Sequence, residues 1–184
     1  ILKNNIPGDF VECGVWKGGS SMLVALLLKN ENVVDRKIYL YDTFAGMTEP
    51  GKNDGVEEKI EWEKNKKDDG NNSWCFASYE EVEANMKSTG YPVGNIRLLK
   101  GKVEDTIPGT MPAKIALLRL DTDWYESTKH ELTYLFPLLE KSGVLIIDDY
   151  GAWQGARKAV DEYLKDNGTV YLNRIDFTGR LLIK

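Results

Sequence analysis

Three acidic residues, Asp121, Asp148 and Asp149, carry the strongest chemical signal in the chain. Asp121 closes the apolar run IALLRLD, and Asp148 and Asp149 close the run GVLIIDD. Each run reads as a buried strand followed by a polar loop. Ligands of an open parallel sheet bind outside the carboxyl ends of its strands, so two neighbouring strand ends would bring three carboxylates to one edge. Packed carboxylates repel one another unless a cation sits among them. Oxygen-only ligation favours a hard divalent ion such as Mg²⁺. The alternative is that these acids cap helices or pair with Lys and Arg.

A second constellation is the segment VECGVWKGGSS, placed where a first strand turns into a first helix. Gly14, Gly18 and Gly19 let backbone approach a ligand closely. Ser20 and Ser21 stand at a helix N-terminus, which favours an anionic group. Glu12 either binds the amino group of a ligand or caps the turn. Asp42, at the end of IYLYD, has the position from which an acid accepts hydrogen bonds from ribose hydroxyls in nucleotide-binding α/β folds. The ligand is then a nicotinamide dinucleotide or S-adenosylmethionine. The turn departs from G-x-G-x-x-G, because Val15 and Trp16 follow Gly14, and that departure favours S-adenosylmethionine.

The elements that must hold these residues alternate. Strands are expected at GDFVECG, KIYLYDTF, NIRLLKG, KIALLRLD and GVLIIDDY, and helices at GGSSMLVALLLKN, YEEVEANMKSTG, STKHELTYLFPLLEKSG and ARKAVDEYLKDNG. The fourth segment is read as an amphipathic helix broken near Pro137 and closed by Gly143. TVYLNRID and GRLLIK read as a C-terminal antiparallel pair with Thr178-Gly179 at the turn. Such alternation predicts an α/β fold, a mostly parallel sheet with helices on both faces. The charge-dense stretch EEKIEWEKNKKDDGNN lies in a segment read as a lid insertion, about residues 46–78, mobile or partly disordered.

With 184 residues, 42% hydrophobic and 29% charged, the chain fits one domain with a sizeable core. A formal net charge of -5 and the lack of a basic run argue against nucleic-acid binding. No apolar stretch has membrane-spanning length, and no signal-like segment opens the chain. Two cysteines, Cys13 and Cys75, form no disulfide framework, which points to a reducing cytoplasm. The near-immediate first strand suggests a missing N-terminal segment.

Taken together, VECGVWKGGSS, YDTFAGM, NSWCFAS, LLRLDTDWYEST and GVLIIDDY resemble the macrocin O-methyltransferase family, whose members methylate sugar hydroxyls of antibiotics. The resemblance runs from about Gly8 to Lys165 and keeps the motifs in the family's order. It implies a class I, Rossmann-like methyltransferase fold, S-adenosylmethionine as methyl donor and Mg²⁺ as metal. It places Glu12, Gly14, Gly18 and Ser20 in the donor-binding turn and Asp42 at the ribose. Gly101, Lys102 and Val103 fall near the adenine, and Asp121, Asp148 and Asp149 on the metal. Asp121 and Asp123 are the implied catalytic residues, with Asp123 similar to the family's general base, or else orienting a metal ligand. The implied partner is a small-molecule hydroxyl acceptor, a glycoside first, with neither nucleic acid nor membrane and with room for a homo-oligomer. Rivals are a nicotinamide-dependent oxidoreductase and a non-catalytic S-adenosylmethionine-binding protein.

The remaining candidates divide less sharply. His130, the single histidine, reads as a surface or packing residue. With no placed Ser or Cys nucleophile, hydrolase chemistry is disfavoured. Trp74, Phe76 and Tyr79 either wall a pocket or anchor the lid, and Trp124, Tyr125 and Trp153 either shape an acceptor site or pack.

Overall fold

The computed structural model describes residues 1–168 and 171–184. Among the described residues one sheet is built from β1 (Asp9–Cys13), β2 (Ile38–Asp42), β3 (Ile96–Lys100), β4 (Ile115–Leu120), β5 (Leu139–Ile147), β6 (Asn173–Arg174) and β7 (Arg180–Ile183). The spatial order is β3-β2-β1-β4-β5-β7-β6. Strands β1 to β5 are parallel. β7 runs antiparallel to β5 and β6 antiparallel to β7. The chain order reverses between β1 and β4, so the edge above those two strands is the switch point where such sheets bind ligands.

Helices α1 (Gly19–Asn30), α2 (Val56–Lys64), α3 (Tyr79–Ser88), α4 (Val103–Thr106), α5 (Tyr125–Tyr134) and α6 (Gln154–Asn167) complete the fold. Alternation along the strands feeds two separate cores. Ile38 and Leu40 of β2 pack with Ala25, Leu28, Val82 and Met86 on the α1 and α3 side. Tyr39 and Tyr41, on the other face, join Leu118, Leu132 and Val160 on the α5 and α6 side. Burying both faces explains why β1, β2 and β4 read as near-continuous apolar runs. No helix among the described residues is long and apolar enough to cross a membrane.

Two expectations are corrected. The charge-dense stretch is not without structure: its EEKIEWEK portion lies within α2. That helix is tied down at Trp62, whose Nε1–H donates to Met47 O at 2.8 Å and whose carbonyl accepts from Asn72 Nδ2 at 2.9 Å. The second correction concerns LLEKSG. After Pro137, within a single 3-10 turn at Phe136–Leu138, the chain enters β5 at once, so Gly143 lies inside a strand and caps no helix. Ile115 pairs with Leu139 but Leu117 with Val144, and the extra residues bulge out with Ser142 at φ 65°. The C-terminal pair forms as expected over 173–183, where Asp176 accepts from the Thr178 and Gly179 amides. Thr169 and Val170, part of the expected first strand of that pair, lie outside the described residues.

Candidate active site

Main-chain ladders continue one residue past several strands and set the functional edge in register. Gly14 N donates to Tyr41 O, Asp121 N to Cys13 O and Gly101 N to Asp42 O, each at 2.9 Å, and Asp148 N to Leu120 O at 3.0 Å. Gly14, Asp42, Gly101, Asp121 and Asp148 are thereby brought side by side. Only glycine fits at position 14. Its φ is +76°, and a Cβ there would stand 1.9 Å from Asp121 O.

Asp42 is a carboxylate held by three backbone amides, which leaves part of its acceptor capacity facing the cleft. Its Oδ2 accepts from Val15 N at 2.7 Å and Trp16 N at 3.2 Å, and its Oδ1 from Phe44 N at 2.7 Å. Burial raises its pKa, and these amide donors lower it again. Asp42 thus fastens the glycine-rich turn to the end of β2. Beside it opens a cleft bounded by Gly14, Tyr41, Asp42, Gly101, Val103 and Asp121, with Thr48, Thr122 and Ser127 also in its wall. Lys102 and Gly18 flank the cleft without lining it, as the N-caps of α4 and α1.

Glu12 and Ser20 lie in a separate shallow recess with Arg119. Glu12 is buried, bonded to Ser21 Oγ and, at 2.8 Å, to Arg119 Nη1. Arg119 is the residue that sequence reasoning missed. Its guanidinium also meets Asp121 Oδ2 at 2.5 Å and Asp148 Oδ1 at 2.9 Å. Burial alone would lower its pKa, but Asp121, Glu12 and Asp148 raise it. A lone arginine inside the apolar run IALLRLD was the available signal, since a buried cation needs partners.

Asp121, Asp123 and Asp149 converge, each offering a carboxylate oxygen within 4.8 Å of the others. Asp148 stands next to them on Arg119. Burial pushes Asp121 up to about 9; Arg119 opposes this, and the charges of Asp149 and Asp148 add to it. Asp149 also rises to about 9, through burial and then the neighbouring Asp123. Burial lifts Asp123 to about 7, partly offset by hydrogen bonding to Asp149 and Trp153. Asp123 has a left-handed backbone, φ 69°, a conformation that costs free energy in a non-glycine residue and tends to occur at functional sites. Asp149 Oδ2 is buried without any hydrogen-bond partner. Three mutually repelling carboxylates with an orphaned oxygen, and only oxygen donors, fit a hard divalent cation.

Over these acids lies a second, larger opening of about 820 Å³, walled by Trp16, Trp74, Cys75 and Trp153 and sharing Gly14, Asp42 and Asp121 with the cleft. Trp74, Trp124 and Trp153 form a mutual cluster with ring centroids 5.8–6.0 Å apart. Trp124 is buried and donates Nε1–H to Thr48 O at 2.8 Å. Phe76 and Tyr79 turn elsewhere, under Lys67 and against Phe44. His130 packs on Tyr134 and meets Ile107 O at 2.9 Å through Nε2, as a packing residue would. Below the acid loop, Glu131 is fully buried and accepts from Thr122 Oγ1 at 2.9 Å; burial raises its pKa well above the usual carboxylate range.

A family model described as Macrocin-O-methyltransferase (TylF) matches residues 1–183. The 8-demethyl-8-(2,3-dimethoxy-alpha-L-rhamnosyl)-tetracenomycin-C 4'-O-methyltransferase of Streptomyces olivaceus is 35% identical over 181 residues, covering 97% of this chain and 67% of that protein. Demethyldecarbamoylnovobiocin O-methyltransferase of Streptomyces niveus is 36% identical over 163 residues, 89% of this chain and 60% of that one. The chain thus spans between three fifths and about two thirds of these two relatives. Among solved structures, that of the O-methyltransferase NovP matches with a TM-score of 0.88 and 34% identity, covering 100% of this chain and 74% of the other.

Proposed function

The chain belongs to the macrocin O-methyltransferase family and has the class I, Rossmann-like methyltransferase fold, and on that premise we propose that it moves a methyl group from S-adenosylmethionine to a hydroxyl of a sugar or similar polyol. The observation that carries the reading is the pairing of two openings across one shared wall. The narrower cleft beside Asp42 takes the donor, and the wider one over the acids takes the acceptor.

On the donor side, Gly14, Asp42, Gly101 and Val103 offer backbone, a ribose-facing carboxylate and an apolar surface for the base. Gly18 and Lys102 shape the helix starts beside them. Glu12 and Ser20 act from behind the turn, since the Glu12 carboxylate is already engaged by Arg119 and Ser21.

On the acceptor side, Asp121 and Asp149 would hold Mg²⁺, with Asp148 contributing from its place on Arg119. When bound, the cation supplies positive charge that favours loss of the acceptor proton and orients neighbouring oxygens. Asp123 takes that proton, as a carboxylate placed beside Asp121 and Asp149 and within reach of an acceptor held there. The freed oxygen attacks the sulfonium methyl in line, forming the O–C bond as the C–S bond breaks, with no covalent enzyme intermediate. Trp16, Trp74 and Trp153 exclude water and offer flat apolar faces to the acceptor. The name of the tetracenomycin relative includes a rhamnosyl group in its substrate, which is why a glycoside is the first acceptor class proposed.

Calorimetric titration with S-adenosylmethionine, in Mg²⁺ and in chelator, tests the reading, repeated on Asp148→Ala and Asp149→Ala. Donor binding, with Mg²⁺ binding that the substitutions abolish, is the expected result. Failure to bind the donor under any condition would sink it.

A further inference from the structure

α5 begins immediately after the acid loop, yet it has no cap of its own: its N-cap residue, Trp124, makes no side-chain cap hydrogen bond. The first amide of the helix, Tyr125 N, instead donates to Asp54 Oδ1 at 2.9 Å. Asp54 comes from the β2–α2 connection, 71 positions earlier. Its other oxygen, Oδ2, accepts from Gly51 N at 2.7 Å and closes a tight turn in that connection. A carboxylate at a helix N-terminus is favoured both by the free amides and by the helix dipole.

Room for Asp54 is made by α6. A Cβ at Gly155 would stand 1.7 Å from Asp54 Oδ1 and 3.0 Å from Tyr125 N. Glycine costs helix stability in such a place, so its presence two residues into α6 needs a reason, and the approach of Asp54 supplies one. Two further bonds run the same way: Trp124 Nε1 to Thr48 O at 2.8 Å and Lys158 Nζ to Asn53 Oδ1 at 2.8 Å.

We propose that Asp54 is a positioning residue for the acid cluster. By capping α5 from the β2–α2 connection, with Gly155 leaving it space, it fixes the turn that carries Asp121 and Asp123. The connection and the acids then order together, and cation binding draws on both. The cation arm of this inference rests on the proposed function, whereas the capping arm does not.

Four variants of the whole chain test it: Asp54→Ala, Asp54→Asn, Gly155→Ala and the double Asp54→Ala/Gly155→Ala. Amide exchange at Tyr125 and the dissociation constant of Mn²⁺, followed from the free-ion resonance, are the two readouts. Asp54→Ala should speed Tyr125 exchange at least about tenfold and weaken Mn²⁺ binding by roughly 10–100-fold, the range for residues that support metal ligands. Asn keeps an oxygen for Tyr125 N but loses the one that accepts from Gly51 N, so Asp54→Asn should fall between the parent and Asp54→Ala. Gly155→Ala should reproduce Asp54→Ala, and the double variant should be no worse than the worse single, because both break one contact. Unchanged exchange in Asp54→Ala, an Asn variant as impaired as the Ala variant, or full additivity would each overturn the proposal. A parent protein that binds no Mn²⁺ would count against the proposed metal while the exchange readout still decides the role of Asp54.

Discussion

Asp42 and Asp149 stand on the same edge of the same sheet, yet they are opposites. Asp42 is met by three backbone amides, from Val15, Trp16 and Phe44. Asp149 faces two more carboxylates and keeps a buried oxygen with no partner. One acid has spent most of its lone pairs on the fold, and the other holds them in reserve. The contrast teaches that chemistry at a strand end is read from what satisfies the side chain: a carboxylate held by amides is a fastener, and an unsatisfied one awaits a positive charge. Arg119 stands between the two conditions, giving partial neutralisation to Asp121 and Asp148 but none to Asp149.

The largest effect that would sharpen this contrast lies at Asp123. Asp123→Asn should lower kcat by roughly 10²–10⁴, the usual contribution of a positioned base. Donor affinity should hold, because Asp123 lies outside the narrower cleft. Steady-state kinetics with a glycoside acceptor decide it, and an active Asn variant would assign Asp123 to orienting its neighbours instead.

Next in size is Asp42→Ala, which should cost about 2–3 kcal/mol of stability, since it strips a charged acceptor from three amides. Cation affinity should be preserved within a few-fold. Chemical denaturation and a Mn²⁺ titration together check this, and a variant that loses cation binding but keeps its stability would invert the comparison.

A third test uses pH. The folded carboxyls of Asp121 and Asp149 sit near 9 and that of Asp123 near 7, above the ordinary 3.8. The folded chain therefore holds protons that the unfolded chain has released, and stability in chelator should fall as pH rises from about 4 to about 9. Saturating Mg²⁺ replaces those protons, so the slope should flatten and cation affinity should climb with pH. Stability in chelator that holds level or increases between pH 5 and 8 would contradict the picture of an unsatisfied cluster. The smallest effect belongs to His130→Gln, expected to leave kcat within about twofold while loosening one packing contact.

Much of the fold was legible because β1, β2 and β4 are largely apolar on both faces and end in polar residues, a pattern that survives without any partner in view. That acids 121, 148 and 149 follow strand ends was legible for the same reason, but that Asp123 rather than Asp148 converges with Asp121 and Asp149 was not. α2 was not, because Trp62 is held by Met47 and Asn72 across loops that local composition does not encode. The entry into β5 was hidden by Pro137 and Gly143, which mimic helix punctuation, while the bulge before Val144 exists only relative to β4. Arg119 was visible as an anomaly, but its partner Glu12 lies 107 positions away. Asp54 gave no signal, since its meaning depends on two helix starts and a missing Cβ.

The three indoles packed over the acids have a practical consequence. Trp74, Trp124 and Trp153 come from three segments distant in sequence and meet only in the fold, with centroids 5.8–6.0 Å apart. Indoles that close couple electronically, so the cluster should add its own bands to the circular dichroism of the chain. Separation of Trp74 from the other two should remove that contribution. The molecule therefore carries a built-in optical gauge of whether its pocket wall is assembled, readable with no label.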